Sequence, residues 1–109
     1  FAAVSHLPHL LAFALVENLA ARQNAEELFH YAASGFRDFT RIAGSSPEMW
    51  RDISLANQTA LLTEIDAYRD SLETLRNLLV RQDSAGLQAL FERASQARNA
   101  WAHQPKRKP

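Results

Sequence analysis

Two histidines flank a proline near the start of the chain, in the segment Ser-His-Leu-Pro-His at 5–9. Because proline suits the first turn of a helix, we expect His6 and His9 near the N-terminus of a helix that begins at about Pro8. Imidazoles and free backbone N–H groups at such a position favour an anion. Taken alone, however, the segment is better explained as a helix that Ser5 caps, with both imidazoles in solvent, than as an anion site. No metal site is expected here, because no carboxylate lies at ligand spacing nearby.

Two arginines, Arg37 and Arg41, are four positions apart and therefore share one helical face. A guanidinium group presents a planar fork that binds a carboxylate through two hydrogen bonds. Asp38, three positions before Arg41, can hold that arginine in one rotamer. Taken alone, a solvated face with ion pairs of roughly 0–1 kcal/mol each is the simpler interpretation.

A tryptophan, Trp50, follows in the first turn of another predicted helix, where it can lean over Arg41 as a cation–π wall or form part of the core. The core role is the commoner one. A further arginine, Arg51, lies next to Trp50. The histidines, the arginines and this tryptophan together include no obvious nucleophile. The set therefore suits binding of a small anionic ring compound better than attack on it.

Helices must position these residues, because strand signals are nearly absent. The first helix is predicted from about Pro8 to Arg22. Its centre, Leu10 to Val16, is apolar on every face and predicts burial all round, which usually requires a second subunit or another domain.

Further helices follow along the chain. Asn24 is predicted to cap a second helix that ends at about Ala33, and Ser34-Gly35 to break the pattern before a helix over 36–43. Ser46, followed by Pro47, predicts another helix start. Apolar positions spaced 4-3-4-3-4 from Leu61 to Leu79 predict an extended helix beside an antiparallel neighbour.

Ser84 is predicted to cap that neighbour, the last helix, whose inner stripe runs from Leu87 through Phe91 to Trp101. The expected fold is all-α, a helical bundle of five to six helices. One domain is expected over 1–102, followed by a flexible basic tail at 103–109.

Composition excludes several classes of protein. The 12 basic and 12 acidic residues leave no net charge, which argues against a nucleic-acid partner. Without cysteine there is neither a disulfide nor a thiolate zinc site. The longest apolar run, Leu10 to Val16, is too short for a membrane span, so a cytoplasmic protein is expected.

Glycines give a further exclusion. None of Gly35, Gly44 and Gly86 lies in a strand–turn–helix context, so no dinucleotide or phosphate loop is predicted and a self-contained nucleotide-dependent enzyme is excluded. The chain begins at Phe1 and its only methionine is Met49, so we expect it to be part of a longer protein.

Three segments together resemble the C-terminal domain of the prephenate dehydrogenase family. They are Ser-His-Leu-Pro-His at 5–9, Gly-Phe-Arg-Asp-Phe-Thr-Arg-Ile-Ala at 35–43 and Pro-Glu-Met-Trp-Arg-Asp-Ile at 47–53, and the similarity extends from Phe1 to about Trp101. The resemblance implies a helical domain that forms a homodimer, and a separate N-terminal Rossmann domain that binds NAD or NADP; this chain alone is expected to bind no cofactor.

The resemblance also implies an activity, the oxidative decarboxylation of prephenate to 4-hydroxyphenylpyruvate, or the corresponding reaction of arogenate. The site would lie in the cleft between the two domains, with the catalytic histidine in the nucleotide domain. Prephenate versus arogenate, and NAD versus NADP, cannot be read from this chain.

Roles for individual residues follow from the same resemblance. Arg41 is similar to the arginine that pairs with a substrate carboxylate, His9 to a substrate-contacting histidine with His6 beside it, and Trp50 to an aromatic wall. Ser34-Gly35 would bring backbone close to the substrate side chain. Asp38 would orient the arginine, with Arg37 a less specific member of that network because lysine would serve there equally well.

Two other functions compete with this interpretation. The segment 64–72 loosely resembles all-helical chorismate mutases, which would make the chain a complete enzyme. A non-catalytic interaction domain would use the 61–79 seam as its partner surface, but it leaves the arginine and histidine clusters unexplained.

Overall fold

The computed structural model describes residues 1–104, which contain six α-helices and no β-strand. The predicted all-α class is therefore confirmed. The helices are α1 (Leu7–Ala20), α2 (Ala25–His30), α3 (Ser34–Thr40), α4 (Pro47–Ala56), α5 (Gln58–Val80) and α6 (Ser84–Ala102). A π-helical turn, Ala2–His6, precedes α1, and a 3-10 turn, Arg41–Gly44, follows α3.

The first helical segment begins earlier than predicted. The N–H groups of Ser5 and His6 both donate to the carbonyl of Phe1, at 3.0 and 2.9 Å, and so wind the chain before Pro8. Pro8 lies in the first turn of α1, where a missing N–H costs little, so the residues before it still form a turn. The prediction that Ser5 caps the helix is wrong, since Ser5 lies inside this turn.

Helix α1 packs against α2, α3 and the 3-10 turn. Only Leu7 and Ala12 of this helix are buried, with 7% and 0% of their surface exposed, while its other apolar residues are partly or fully exposed. The burial on every face that the sequence predicts is therefore not reached within this chain.

The break between α2 and α3 lies one turn earlier than predicted. Helix α2 ends at His30, and Ala33 is extended, with φ −89° and ψ 174°. Ser34 and Gly35 thus begin α3 instead of interrupting a helix, because small residues are as compatible with a first helical turn as with a loop. Asn24 stands at the N-cap of α2 but makes no side-chain capping hydrogen bond.

The next helix starts are partly as predicted. Ser46 Oγ accepts a hydrogen bond from the Met49 N–H at 3.3 Å and caps α4, which confirms that prediction. The long helix is confirmed by α5. The cap of α6 is Asp83, whose Oδ1 accepts from the Gly86 N–H at 2.9 Å, so the prediction of Ser84 is wrong by one residue. An aspartate carboxylate caps as well as a serine hydroxyl, and sequence alone does not separate the two.

Two compact units make up the chain, Phe1–Ala67 and the part from Tyr68 onward, with the boundary inside α5. The first unit buries Leu7, Ala12, Trp50 and Leu61. In the second, Leu78 is buried, but the stripe predicted to face inward on α6 is open to solvent, with Phe91 55% and Trp101 66% exposed. The single domain over 1–102 stays a prediction.

The two chain ends bear on two other predictions. Ala2–Ala20 is long and apolar enough to cross a membrane by length and composition, with a mean hydropathy of 1.2, although the core helix of a soluble protein meets the same criterion. The uninterrupted apolar run within this segment is still the seven residues from Leu10 to Val16. Of the predicted tail at 103–109, only His103 and Gln104 belong to the described residues, and 105–109 lie outside them.

Candidate functional site

Three predicted site residues from two segments meet in one place. The imidazole of His9 stacks on the indole of Trp50, with ring centroids 4.0 Å apart and planes inclined by 17°. His6 meets the same indole edge-on, at 5.9 Å and 79°. Trp50 is only 8% exposed, so it serves both as core and as the surface on which α4 holds the two histidines. We call these three residues the histidine–tryptophan cluster.

The hydrogen bond of His9 determines where its proton lies. Its Nδ1 is 2.8 Å from the carbonyl oxygen of Ser5. Because a carbonyl oxygen can only accept, Nδ1 carries the proton and donates it. In the neutral ring, Nε2 of His9 is therefore left with its lone pair as a hydrogen-bond acceptor.

The indole nitrogen of Trp50 is a second polar group in the cluster. Its Nε1 is buried and has no hydrogen-bond partner among residues 1–104. An unpaired buried donor costs about 1–3 kcal/mol, so the packing of the ring must outweigh this cost. The contact predicted between Trp50 and Arg41 is not formed. Within residues 1–104 the cation–π contact that the structure shows is Arg98 over Trp101, at 4.6 Å.

The second group of predicted residues lines a solvent-open cavity of about 680 Å³, which we call the arginine cavity. Arg37, Asp38 and Arg41 lie on its wall. Two aromatic rings, Phe29 and Phe36, line it as well, with centroids 6.0 Å apart. The cavity therefore combines cationic side chains with an apolar aromatic surface.

The two arginines of this cavity are not neutralised by a carboxylate. Within residues 1–104 an ion pair joins Arg51 to Asp52, at 3.0 Å between side chains that are 64% and 67% exposed, and neither Arg37 nor Arg41 takes part in it. The Asp38–Arg41 pair predicted from their spacing is absent, because both residues are exposed and water solvates them without the entropy cost of pairing. The orienting roles of Asp38 and Arg37 stay predictions.

Ser34 and Gly35 stand at the exposed start of α3. A Cβ atom built on Gly35 would meet nothing within 4 Å. No side chain in residues 1–104 therefore fills the space beside Gly35, and a ligand could approach the backbone there.

One contact of the cluster was missed from the sequence. The side-chain amide of Asn57 lies 3.2 Å from Nδ1 of His6, although the two residues are 51 positions apart in the sequence. Asn57 ends α4, and its carbonyl accepts the N–H of Leu61 in α5. An asparagine between two strongly helical segments was the available signal, since asparagine favours such junctions over helix interiors.

These groups can bind and orient an anion, but they do not supply redox chemistry. Residues 1–104 contain no strand, so they provide no strand–turn–helix cradle for a dinucleotide. The same part of the chain holds no cluster of three side chains able to ligate a metal.

Comparison with known proteins gives the context of this site. The chain is 38% identical to a prephenate dehydrogenase of Bacillus subtilis over 88% of its own length and 26% of that protein. A crystal structure of Synechocystis arogenate dehydrogenase superposes with a TM-score of 0.84 at 31% identity, over 92% of this chain and 37% of that one.

A second solved structure, prephenate dehydrogenase from A. aeolicus in complex with hydroxyphenyl propionate and NAD+, gives a TM-score of 0.79 at 42% identity, over 92% of this chain and 36% of that one. The chain thus spans about a quarter to a third of the proteins that it matches. The family described as prephenate dehydrogenase, dimerization domain, matches residues 1–93, and the chain belongs to that family.

Proposed function

We propose that this chain is the substrate-binding and dimerisation domain of a prephenate or arogenate dehydrogenase. The complete enzyme would carry out the NAD- or NADP-dependent oxidative decarboxylation of prephenate to 4-hydroxyphenylpyruvate in tyrosine biosynthesis, in the cytoplasm. Its nicotinamide cofactor would be held by an N-terminal Rossmann domain, and the residues of this chain would bind and orient the substrate.

The arginine cavity is the observation that carries this proposal. Arg37 and Arg41 line it without an ion-pair partner in residues 1–104, beside the rings of Phe29 and Phe36. A guanidinium group binds a carboxylate through two charge-assisted hydrogen bonds, and an aromatic wall covers a ring. Prephenate has one carboxylate on its six-membered ring and another at the end of its side chain, so its chemistry matches this lining. The hydroxyphenyl propionate in the A. aeolicus structure also joins a ring to a carboxylate.

The histidine–tryptophan cluster supports a second set of substrate contacts. With Nδ1 committed to Ser5, His9 has Nε2 free to accept a hydrogen bond from a hydroxyl group. His6 lies beside it, and Trp50 supplies the aromatic wall. We assign Arg41 to a substrate carboxylate and the open backbone at Ser34-Gly35 to the substrate side chain, with Asp38 and Arg37 orienting the arginine.

A homodimer is part of the same proposal. Apolar side chains of the second unit remain exposed, among them Leu72 (49%), Leu79 (58%), Phe91 (55%) and Trp101 (66%). Exposed apolar residues this numerous on two adjacent helices indicate an interface. The description of the family as a dimerisation domain supports a second copy of this chain as the partner.

The chorismate mutase alternative is not favoured. The segment 64–72, on which it rested, lies within the residues 1–93 that match the dimerisation domain.

The test is turnover by two preparations, the chain alone and the complete enzyme in which it is joined to its nucleotide-binding domain. The complete enzyme should reduce NAD+ or NADP+ with prephenate or arogenate as substrate. The chain alone should turn over neither of these, nor chorismate. Conversion of chorismate by the chain alone, or no dehydrogenation of either substrate by the complete enzyme, would overturn the proposal.

A further inference from the structure

The junction between α4 and α5 holds a polar side chain that reaches the first histidine of the chain. Asn57 has its backbone satisfied on both sides: its N–H donates to Ile53 and Ser54, and its carbonyl accepts from Leu61. Leu61 is 3% exposed and anchors the start of α5. The amide side chain of Asn57 is therefore held at a fixed point and remains available to another group.

That group is the imidazole of His6. The amide nitrogen Nδ2 of Asn57 lies 3.2 Å from Nδ1 of His6, and both residues are partly buried. An amide nitrogen can only donate, so Nδ1 of His6 accepts and the proton of the neutral ring lies on Nε2. His6 therefore presents a donor at Nε2.

The neighbouring histidine is held in the opposite state. His9 donates from Nδ1 to the Ser5 carbonyl at 2.8 Å, which leaves Nε2 as an acceptor. Both rings contact Trp50, which fixes their planes, and the hydrogen bond at each Nδ1 fixes which edge of the ring faces which way. The two imidazoles thus have different tautomers, because Nδ1 accepts a hydrogen bond in His6 and donates one in His9.

We propose that Asn57 is a positioning residue that fixes His6 as the Nε2–H tautomer, so that the cluster presents one hydrogen-bond donor, on His6, and one acceptor, on His9. Such a pair fits an oxygen-rich ligand that both accepts and donates, as a hydroxy acid does. The role in substrate binding rests on the proposed function, whereas the tautomer assignment does not.

The experiment measures the tautomers directly. The 109-residue chain, labelled with 15N-histidine, is examined at alkaline pH by long-range 1H–15N correlation. In the unmodified chain, the His6 spectrum should show a bare Nδ1 and a protonated Nε2, and the His9 spectrum the reverse. A protonated Nδ1 on His6 would mean that Asn57 accepts through its oxygen, and would overturn the proposal.

The variant Asn57→Asp tests whether Asn57 determines the tautomer of His6. A carboxylate only accepts, so His6 should change to the Nδ1–H tautomer while His9 keeps its own. The matched control is Asn77→Asp, the same change at an exposed position of α5 far along the helix, and it should leave both rings unchanged. Unchanged His6 signals in a folded Asn57→Asp chain would also overturn the proposal.

Kinetics of the complete enzyme then separate this inference from the proposed function. Asn57→Asp should lower kcat/KM roughly tenfold, the loss expected for one hydrogen bond to a charged group, whereas Asn77→Asp should not change it. If the unmodified enzyme turns over neither prephenate nor arogenate, the proposed function fails while the tautomer result stands. If the tautomers change as expected and kcat/KM does not, the role of Asn57 in the site is refuted.

Discussion

The imidazole of His9 lies flat on the indole of Trp50, with centroids 4.0 Å apart and planes inclined by 17°. The two residues belong to α1 and α4, and their stacking joins two segments that the sequence marks separately. Because Trp50 is 8% exposed, the same ring that supports the histidine also forms core. Changes at Trp50 should therefore affect stability as well as the site.

Trp50→Ala should lower the free energy of unfolding by about 3–5 kcal/mol, the usual cost of truncating a buried tryptophan. The His9 ring would lose its stacking partner at the same time. Urea denaturation followed by circular dichroism measures this change. A loss below about 1 kcal/mol would mean that the indole does not form core.

Trp50→Phe separates packing from the unpaired indole nitrogen. Phenylalanine keeps an aromatic face for His9 and removes the Nε1 donor, which has no partner. The lost volume and the relieved donor have opposite effects, so we expect stability within about 1.5 kcal/mol of the original chain. If this variant is as unstable as Trp50→Ala, the indole nitrogen has a partner that stabilises it.

The two N-caps of α2 and α6 provide a matched comparison. Asp83 accepts from the Gly86 N–H at 2.9 Å, whereas Asn24 makes no capping hydrogen bond. Asp83→Ala should therefore cost about 1 kcal/mol of unfolding free energy, and Asn24→Ala no more than about 0.5 kcal/mol. Thermal denaturation of both variants tests this order. Equal losses would contradict the assignment of the caps.

Gly35→Ala should separate stability from substrate binding. A Cβ atom at this position meets nothing within 4 Å, and alanine favours a helix by up to about 1 kcal/mol, so the variant should be at least as stable as the original. Under the proposed function, the substrate side chain approaches this backbone, so KM should rise in the complete enzyme. An unchanged KM in this folded variant would remove Gly35 from the site.

Phe91 tests the proposed dimer. It is 55% exposed in the single chain, and Phe91→Asp would place a charge in an apolar interface. We expect the dimer to weaken by about 2 kcal/mol or more, ~30-fold in its dissociation constant, as measured by sedimentation equilibrium. The charge control is Gln23→Asp, at an exposed position between α1 and α2. A monomeric unmodified chain would contradict the dimer outright.

Periodic patterns predicted the long elements well. The 4-3-4-3-4 spacing identified most of α5, and Ser46 followed by proline identified the start of α4. Such signals are local, because the apolar seam and the cap act within one helix. Boundaries between short helices were predicted less well. Ser34-Gly35 begins α3, since the same small residues suit a loop or a first turn.

The candidate site was also predicted only in part from the sequence. Residue types indicated which side chains could bind an anion, but not which of them meet. Trp50 was expected near Arg41 and instead stacks on His9, and Asn57 was not expected in the site at all. The first contact depends on how α1 lies against α4, and the second on how the π-helical turn lies against the end of α4. Sequence spacing along one helix carries no information about either arrangement.

Arg41 is the residue that we propose binds the substrate carboxylate. The direct measurement is calorimetric titration of the complete enzyme with hydroxyphenyl propionate, the molecule present in the A. aeolicus structure. Arg41→Ala should raise Kd ~10- to 100-fold, since a hydrogen-bonded charge contributes about 1.5–3 kcal/mol. Arg76→Ala, at an exposed position of α5, should leave Kd unchanged. An unchanged Kd in the folded Arg41→Ala enzyme would contradict the account.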